Sequence, residues 1–446
     1  YTGNATARTI TGVGFQPDFV WTKTRSGGNN HQLYDSVRGA TKALESNTSS
    51  DESTETTALT AFASDGFSLG TSGNVNSADG GGVTYASWNW YAPTSETNTD
   101  GTITSTIKKN VDAGFSIVKW TGDNNTSSDV GHGLSPSSEP MLVIMKDLDS
   151  SNDWMVITNN LWSNPTTNFL KLNLPNALSS SSGTPYLVDN DSFKNTNRNV
   201  LNNDYIAYCF HSVDGYSRIG SYQGTGATGN FVVTGFEPAF IMIKRSDSAE
   251  DWKIIDNKRG FANSLEPNES VAEEVGNNSN FVLTTNGFEI GDPHGDYNAS
   301  GGSYIFMAFA QDPDSTPATE ANSFETKTYT GNGGTQSITL TNGMKPDFVW
   351  VKDRDNNGTS HTLADSVRGV NNTINSNTTG GQYNNTTYQY NSFDSNGFTV
   401  TDDNGGNYGV NGDGIDYISW NWKAGGLPTI NSDGDIPSIV SANQAA

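Results

Sequence analysis

The sequence predicts an all-β protein: tandem antiparallel β-sandwich units, jelly-roll-like, about four repeats of roughly 100–120 residues each. Three observations predict it. Gly (48 residues), Asn, Ser, Thr and Asp dominate while Leu, Ala and Lys are scarce, a composition of turns and strands. No apolar heptad and no helical stripe longer than about ten residues occurs. The chain also repeats itself, in the same order of short motifs, four times over. Hydrophobic residues reach only 33%, yet aromatics reach 11%, which predicts folded units with small cores and a polar surface.

Each unit opens on an aromatic-x-Gly triplet: Tyr1-Thr-Gly, Trp120-Thr-Gly, Tyr222-Gln-Gly and Tyr329-Thr-Gly. A proline and an apolar strand follow: "PDFVWTK" at Pro17, "PMLVIMK" at Pro140, "PAFIMIK" at Pro238 and "PDFVWVK" at Pro346. Their apolar residues alternate imperfectly, as in a strand buried on one face and partly on the other. "HQLYDSV" and "HTLADSV" alternate cleanly, setting Leu33 and Val37 on one face and Tyr34 and Ser36 on the other. The tract 40–57 reads as a short helix or a loop. A turn and Gly-Phe come next in "SDGFSLG" (Ser64), "TNGFEIG" (Thr285) and "SNGFTV" (Ser395), with only "DNDSFK" (Asp189) in the second unit. Closing strands are "YASWNW", "YIAYCF", "YIFMAF" and "YISWNW", from Tyr85, Tyr205, Tyr304 and Tyr417.

These motifs place units at residues 1–92, 113–213, 214–314 and 323–424. Polar linkers are expected at about 92–112 and at 425–446, the latter leading into a further unit. Units one and four resemble each other most, with Asp35 and Asp365 in register, so three unit types alternate. The expectation is a window of a longer tandem array.

A formal net charge of −24 leaves no basic face for nucleic acid, and an anionic membrane surface would repel the chain. No apolar run approaches the roughly 18 residues of a membrane span, so no membrane insertion is expected. The single cysteine, Cys209, cannot form an internal disulfide and lies mid-strand, which suits a packed thiol.

The sharpest local motif is Asp-x-x-Arg-Gly: Asp35/Arg38, Asp256/Arg259 and Asp365/Arg368. It reads as an ion-paired backbone clamp at a strand end, its glycine taking a positive φ, against the alternative of an anion or glycan site. The second unit carries Thr158-Asn-Asn-Leu there. His31 and His361 match Trp154 and Trp252 of the other units, so rings covering a core edge are expected rather than metal ligands. "DRDNNG", from Asp353, matches the first half of a calcium loop but has Ala364 in place of the bidentate Glu. "DDNGGN" at Asp402 and "NGDGID" at Asn411 raise the same question. Acidic hairpin loops explain all three, so no cofactor is expected, with calcium the one alternative. The variable loop after the first strand, "TRSGGNN" against "DRDNNGTS", supplies the candidate ligand contacts Arg25, Asn29, Asp353, Asp355 and Asn357. Trp120, Tyr222 and Tyr329 read as core aromatics or as platforms for sugar rings. No nucleophile elbow, phosphate loop or singled-out carboxylate pair points to an enzyme.

The ordered motifs "GFQPDFVWTKTR…DSVRG", "DAGFSIVKWTG…VGHGLSP", "DYIAYCFHSVDGYSRIGSY", "TGFEPAFIMIKRSD…ASGGSYIFMAFA" and "YISWNWKAGG" resemble a tandem domain of marine tailed phages. That domain occurs in long virion structural and tail-fibre-like proteins, cyanophage ones among them, and the resemblance spans essentially the whole chain. It implies a virion structural protein, a fibre, appendage or surface component located on the virion or another extracellular surface. The partners it implies are other virion proteins and further copies of itself, a trimer being one such arrangement. Host-surface glycan is the expected ligand. The competing readings are a tail polysaccharide depolymerase and a cellular adhesin or surface filament.

Overall fold

The computed structural model describes residues 1–134, 141–159, 161, 167–180, 188–194, 199–276, 281–284, 286–310, 323–355, 359–384, 389–402, 409–424, 429–431 and 438–440. The fold is all-β, in antiparallel two-layer units, as the composition predicts. Every unit is built on one main sheet. Its inner strand (Phe19–Thr24, Met141–Asp147, Pro238–Arg245 and Phe348–Asp353) is the proline-led apolar run. A hairpin strand pairs on one side of it: Gln32–Asp35, Met155–Thr158, Lys253–Asp256 or Thr362–Asp365. The aromatic closing strand pairs on the other: Tyr85–Trp90, Asp204–His211, Ser303–Ala310 or Asp416–Trp422.

In units 2 to 4 a seven-residue lead strand lies outside the closing strand: Phe115–Thr121, Ser217–Gln223 and Phe324–Thr330. It ends in the aromatic-x-Gly triplet. The triplet's ring stacks on the tyrosine that starts the closing strand, at centroid distances of 5.3 Å (Trp120–Tyr205), 5.0 Å (Tyr222–Tyr304) and 5.2 Å (Tyr329–Tyr417). Tyr1 makes the same stack with Tyr85, at 5.0 Å. Trp120, Tyr222 and Tyr329 are therefore packed rings, not exposed sugar platforms. The glycine two residues on is a matter of space. A Cβ at Gly3, Gly122, Gly224 or Gly331 would sit 2.2 Å from a backbone carbonyl oxygen in each case.

A small sheet covers one face of each main sheet. Among the described residues it has three strands in units 1, 3 and 4 and two, Asp129–Gly131 and Ser192–Lys194, in unit 2. The Gly-Phe motif starts its middle strand in units 1, 3 and 4, and Phe67, Phe288 and Phe398 fill the space between the layers. Each unit thereby has its own core.

The other face of the main sheets holds a second core, and there the units stop being separate. Phe19, Trp21, Trp88 and Trp90 of unit 1 pack with Phe115, Leu142, Tyr208 and Phe210 of unit 2 and with Phe240, Met242, Ile305 and Met307 of unit 3 in one buried cluster. Phe19 stacks on Tyr208 at 4.1 Å, and Trp90 meets Phe210 edge-on at 5.9 Å and Phe240 at 6.1 Å. Three sheets thus surround one hydrophobic centre.

Two expectations are corrected at the element level. The segment expected as a linker at 92–112 contains two strands, Thr94–Asn98 and Ser105–Asn110, which extend the main sheet of unit 2 to eight strands. Alternating Ile103 and Ile107, both buried, supply the reason, masked in sequence by the surrounding Thr and Asn. The tract 40–57 is not helical: Lys42–Ala43 and Ser53–Thr54 pair as a short hairpin.

Candidate functional site

In the first three units, several motifs singled out in the sequence meet at the joints between units. Asp35 shows how. Its Oδ1 accepts from the backbone N–H groups of Val37 and Arg38, at 3.0 and 2.8 Å, and its Oδ2 from Arg38 Nε. The Arg38 guanidinium also donates to the carbonyls of Leu33 and Lys42, both at 3.1 Å, and Gly39 follows at φ +108°. Asp256, Arg259 and Gly260 repeat this arrangement, as do Asp365, Arg368 and Gly369. The Asp of one unit then receives a donor from the next. Tyr208 of unit 2 donates its hydroxyl to Asp35 Oδ2 at 2.8 Å, and Trp88 of unit 1 donates Nε1–H to Asp256 Oδ2 at 3.0 Å. Unit 2 has Thr158 in place of the acid, and the matching closing-strand residue of unit 3 is apolar Met307. Acid and donor are lost together.

A second joint runs the same way round. Trp154 of unit 2 donates Nε1–H to the Glu45 carbonyl of unit 1 (2.8 Å), and Trp252 of unit 3 donates to the Lys171 carbonyl of unit 2 (2.9 Å). His31 of unit 1 places Nε2 2.9 Å from the Glu266 carbonyl of unit 3. Trp21 Nε1–H donates to His31 Nδ1 at 2.9 Å, so Nδ1 is the acceptor and Nε2 carries the proton. Burial holds the imidazole well below its ordinary pKa, which keeps it in this neutral form. Asn47, Asn173 and Asn268 each accept from the backbone N–H of the ring residue in their own unit, at 2.9, 3.0 and 2.8 Å, fixing the ring's height.

In units 1 and 3 a lysine at the end of the inner strand adds to the joint. Lys23 donates to the carbonyls of Thr24 and Gly27 in its own loop and of Ser270 in unit 3. Lys244 donates to Arg245 and to Pro175 of unit 2. Burial pushes both ammonium groups down to about 8. These contacts decide where the candidate ligand residues stand. Arg25 forms a fork with Glu273 of unit 3, with a closest approach of 2.7 Å, and its carbonyl accepts from the Glu273 N–H. The first variable loop is therefore held by the neighbouring unit. Asn29 is half-buried and donates to the Gly73 carbonyl at 3.3 Å. Asp353 accepts from Asp355 N–H and Thr359 Oγ1 within its own loop, and Asp355 accepts from Asp416 N–H at 2.7 Å, which ties the loop to the start of the closing strand. Asn357 and most of "DDNGGN" lie outside the described residues. Among the described residues no three His, Cys, Asp or Glu side chains group as a metal site.

Beside the joint between units 1 and 3 runs a groove of about 500 Å³. The outer edge of Tyr85–Trp90 forms one wall, and Phe240, Asp256–Arg259 and Phe309 form the other. In the other units this edge carries the lead strand. Sequence reasoning missed the joints because they pair residues 69 to 248 positions apart. The signal that could have found them is the loss of acid and donor together in Thr158 and Met307.

Sheets that share a core through a repeated, directional joint define a class of tandem β-sandwich proteins in which three units make one body. The chain belongs to the family described as a domain of unknown function (DUF7483), which matches residues 1–313 and again 319–446. The first match spans the three joined units, and the second starts again with unit 4. A comparison with curated proteins gave no match.

Proposed function

We propose that the protein is a structural component of an extended surface assembly, a virion fibre or appendage of a tailed phage. The observation that carries this reading is the use made of the chemistry-bearing side chains. The side chains of Asp35, Arg38, His31, Lys23 and Asp256 are buried, and their polar atoms join one unit to the next. A row of such bodies gives reach, and repetition lets weak contacts to a host-surface glycan add through avidity. Contact falls to the small outer sheets and exposed loops, since the joints occupy the opposite faces.

Two measurements test it. A density map of the intact particle should place the chain in an appendage, and finding it inside the capsid would overturn the reading. Incubation with host envelope glycan should give binding without release of reducing ends. Release would favour the depolymerase instead.

A further inference from the structure

Unit 4 carries the same inward face as unit 1, but that face is half exposed. Phe19, Trp21 and Leu33 are 1–2% exposed in the shared core, whereas the matching Phe348, Trp350 and Leu363 remain partly open. Ile374, in the place of buried Leu44, is 37% exposed, and Trp420 and Trp422 are partly open as well. The polar halves of both joints are in position. His361 Nδ1 accepts from Trp350 Nε1 at 2.8 Å, and Asn377 holds the His361 N–H at 3.0 Å. The Asp365–Arg368 clamp is formed but its side chains are about a quarter exposed, where Asp35 and Arg38 are at 0–1%.

We propose that this face of unit 4 is a docking surface for a joined pair of sheets of the unit 2 and unit 3 type, which would close a second three-sheet body. Size selects that occupant. The central cross-strand pair is Trp21–Trp88 in unit 1, Ile144–Tyr208 in unit 2 and Met242–Met307 in unit 3. One bulky pair is accommodated by two slimmer ones. Unit 4 has Trp350–Trp420 at this place, so three copies of unit 4 would put six indoles at central positions where units 1 to 3 together place two. Hydrogen bonding agrees with the choice: Asp365 matches the acceptor met by a unit 2 tyrosine, and Trp420 matches the donor that meets a unit 3 aspartate. The family match, which spans three units and then restarts at unit 4, supports the same grouping independently.

The test extends the chain by appending a second copy of residues 93–313 after Ala424. Hydrogen exchange and acrylamide quenching are read on unit 4 with and without the extension. Docking predicts at least about tenfold slower exchange in strand Asp416–Trp422 and reduced quenching of the unit 4 indoles. The variant Trp420→Glu in the extended chain should restore both values, and a circular dichroism spectrum checks that the appended units fold. Unchanged exchange with folded appended units would overturn the proposal. So would a trimer of the unextended chain in sedimentation that Trp420→Glu dissociates, because copies of the chain would then be the occupant.

Discussion

Trp88 and Trp420 have the same neighbours in sequence and different ones in space. Trp88 donates to Asp256 across a buried joint, while Trp420 lies on a partly open face. Trp88→Phe should therefore destabilise the first three units by about 1–3 kcal/mol, since a buried carboxylate loses a donor. Trp420→Phe should stay within about 0.5 kcal/mol, as surface changes usually do. Urea denaturation of the two variants decides this. His31 adds a pH dependence. Its folded pKa is depressed, so its contribution is complete above the unfolded value of about 6.5 and is lost as pH falls below it. Protonation at Nδ1 would also end the bond from Trp21. The denaturation midpoint should fall between pH 7.5 and 5, and His31→Gln should flatten that slope.

The strands were largely legible in the sequence. Aromatic-x-Gly, the proline-led run and the closing "YISWNW" type of strand each proved to be one element of the main sheet. What the glycine does was not legible, because its neighbour is a carbonyl some 75 to 80 positions away. Gly331→Ala would bring a methyl carbon to 2.2 Å from the Gly412 oxygen, and backbone on both sides limits the relief. The expected cost is about 2 kcal/mol or more, confined to unit 4, with exchange raised in Phe324–Thr330 and unchanged in units 1 to 3. The two strands at 94–110 went unread because polar residues dominate them and Ile103 and Ile107 are the only apolar residues buried there.

At the scale of the molecule, four similar units each have a core of their own, and three of them share a second one. Alternation within "PDFVWTK" and "PDFVWVK" told that both strand faces are apolar, but not what covers them. Two nearly identical sequences, one buried and one half open, show why that information is not local. Calorimetry should resolve two transitions: a larger one for units 1 to 3 together and a smaller, lower-melting one for unit 4. The joints have a handedness with a further consequence. In the bonds from the ring residues, unit 2 gives to unit 1, unit 1 to unit 3 and unit 3 to unit 2. A gene encoding such a chain carries a phase, much as codons do. Gaining or losing a single unit would set bulky faces against bulky ones and acids against methionines from that point on, whereas gaining or losing three would leave every match intact.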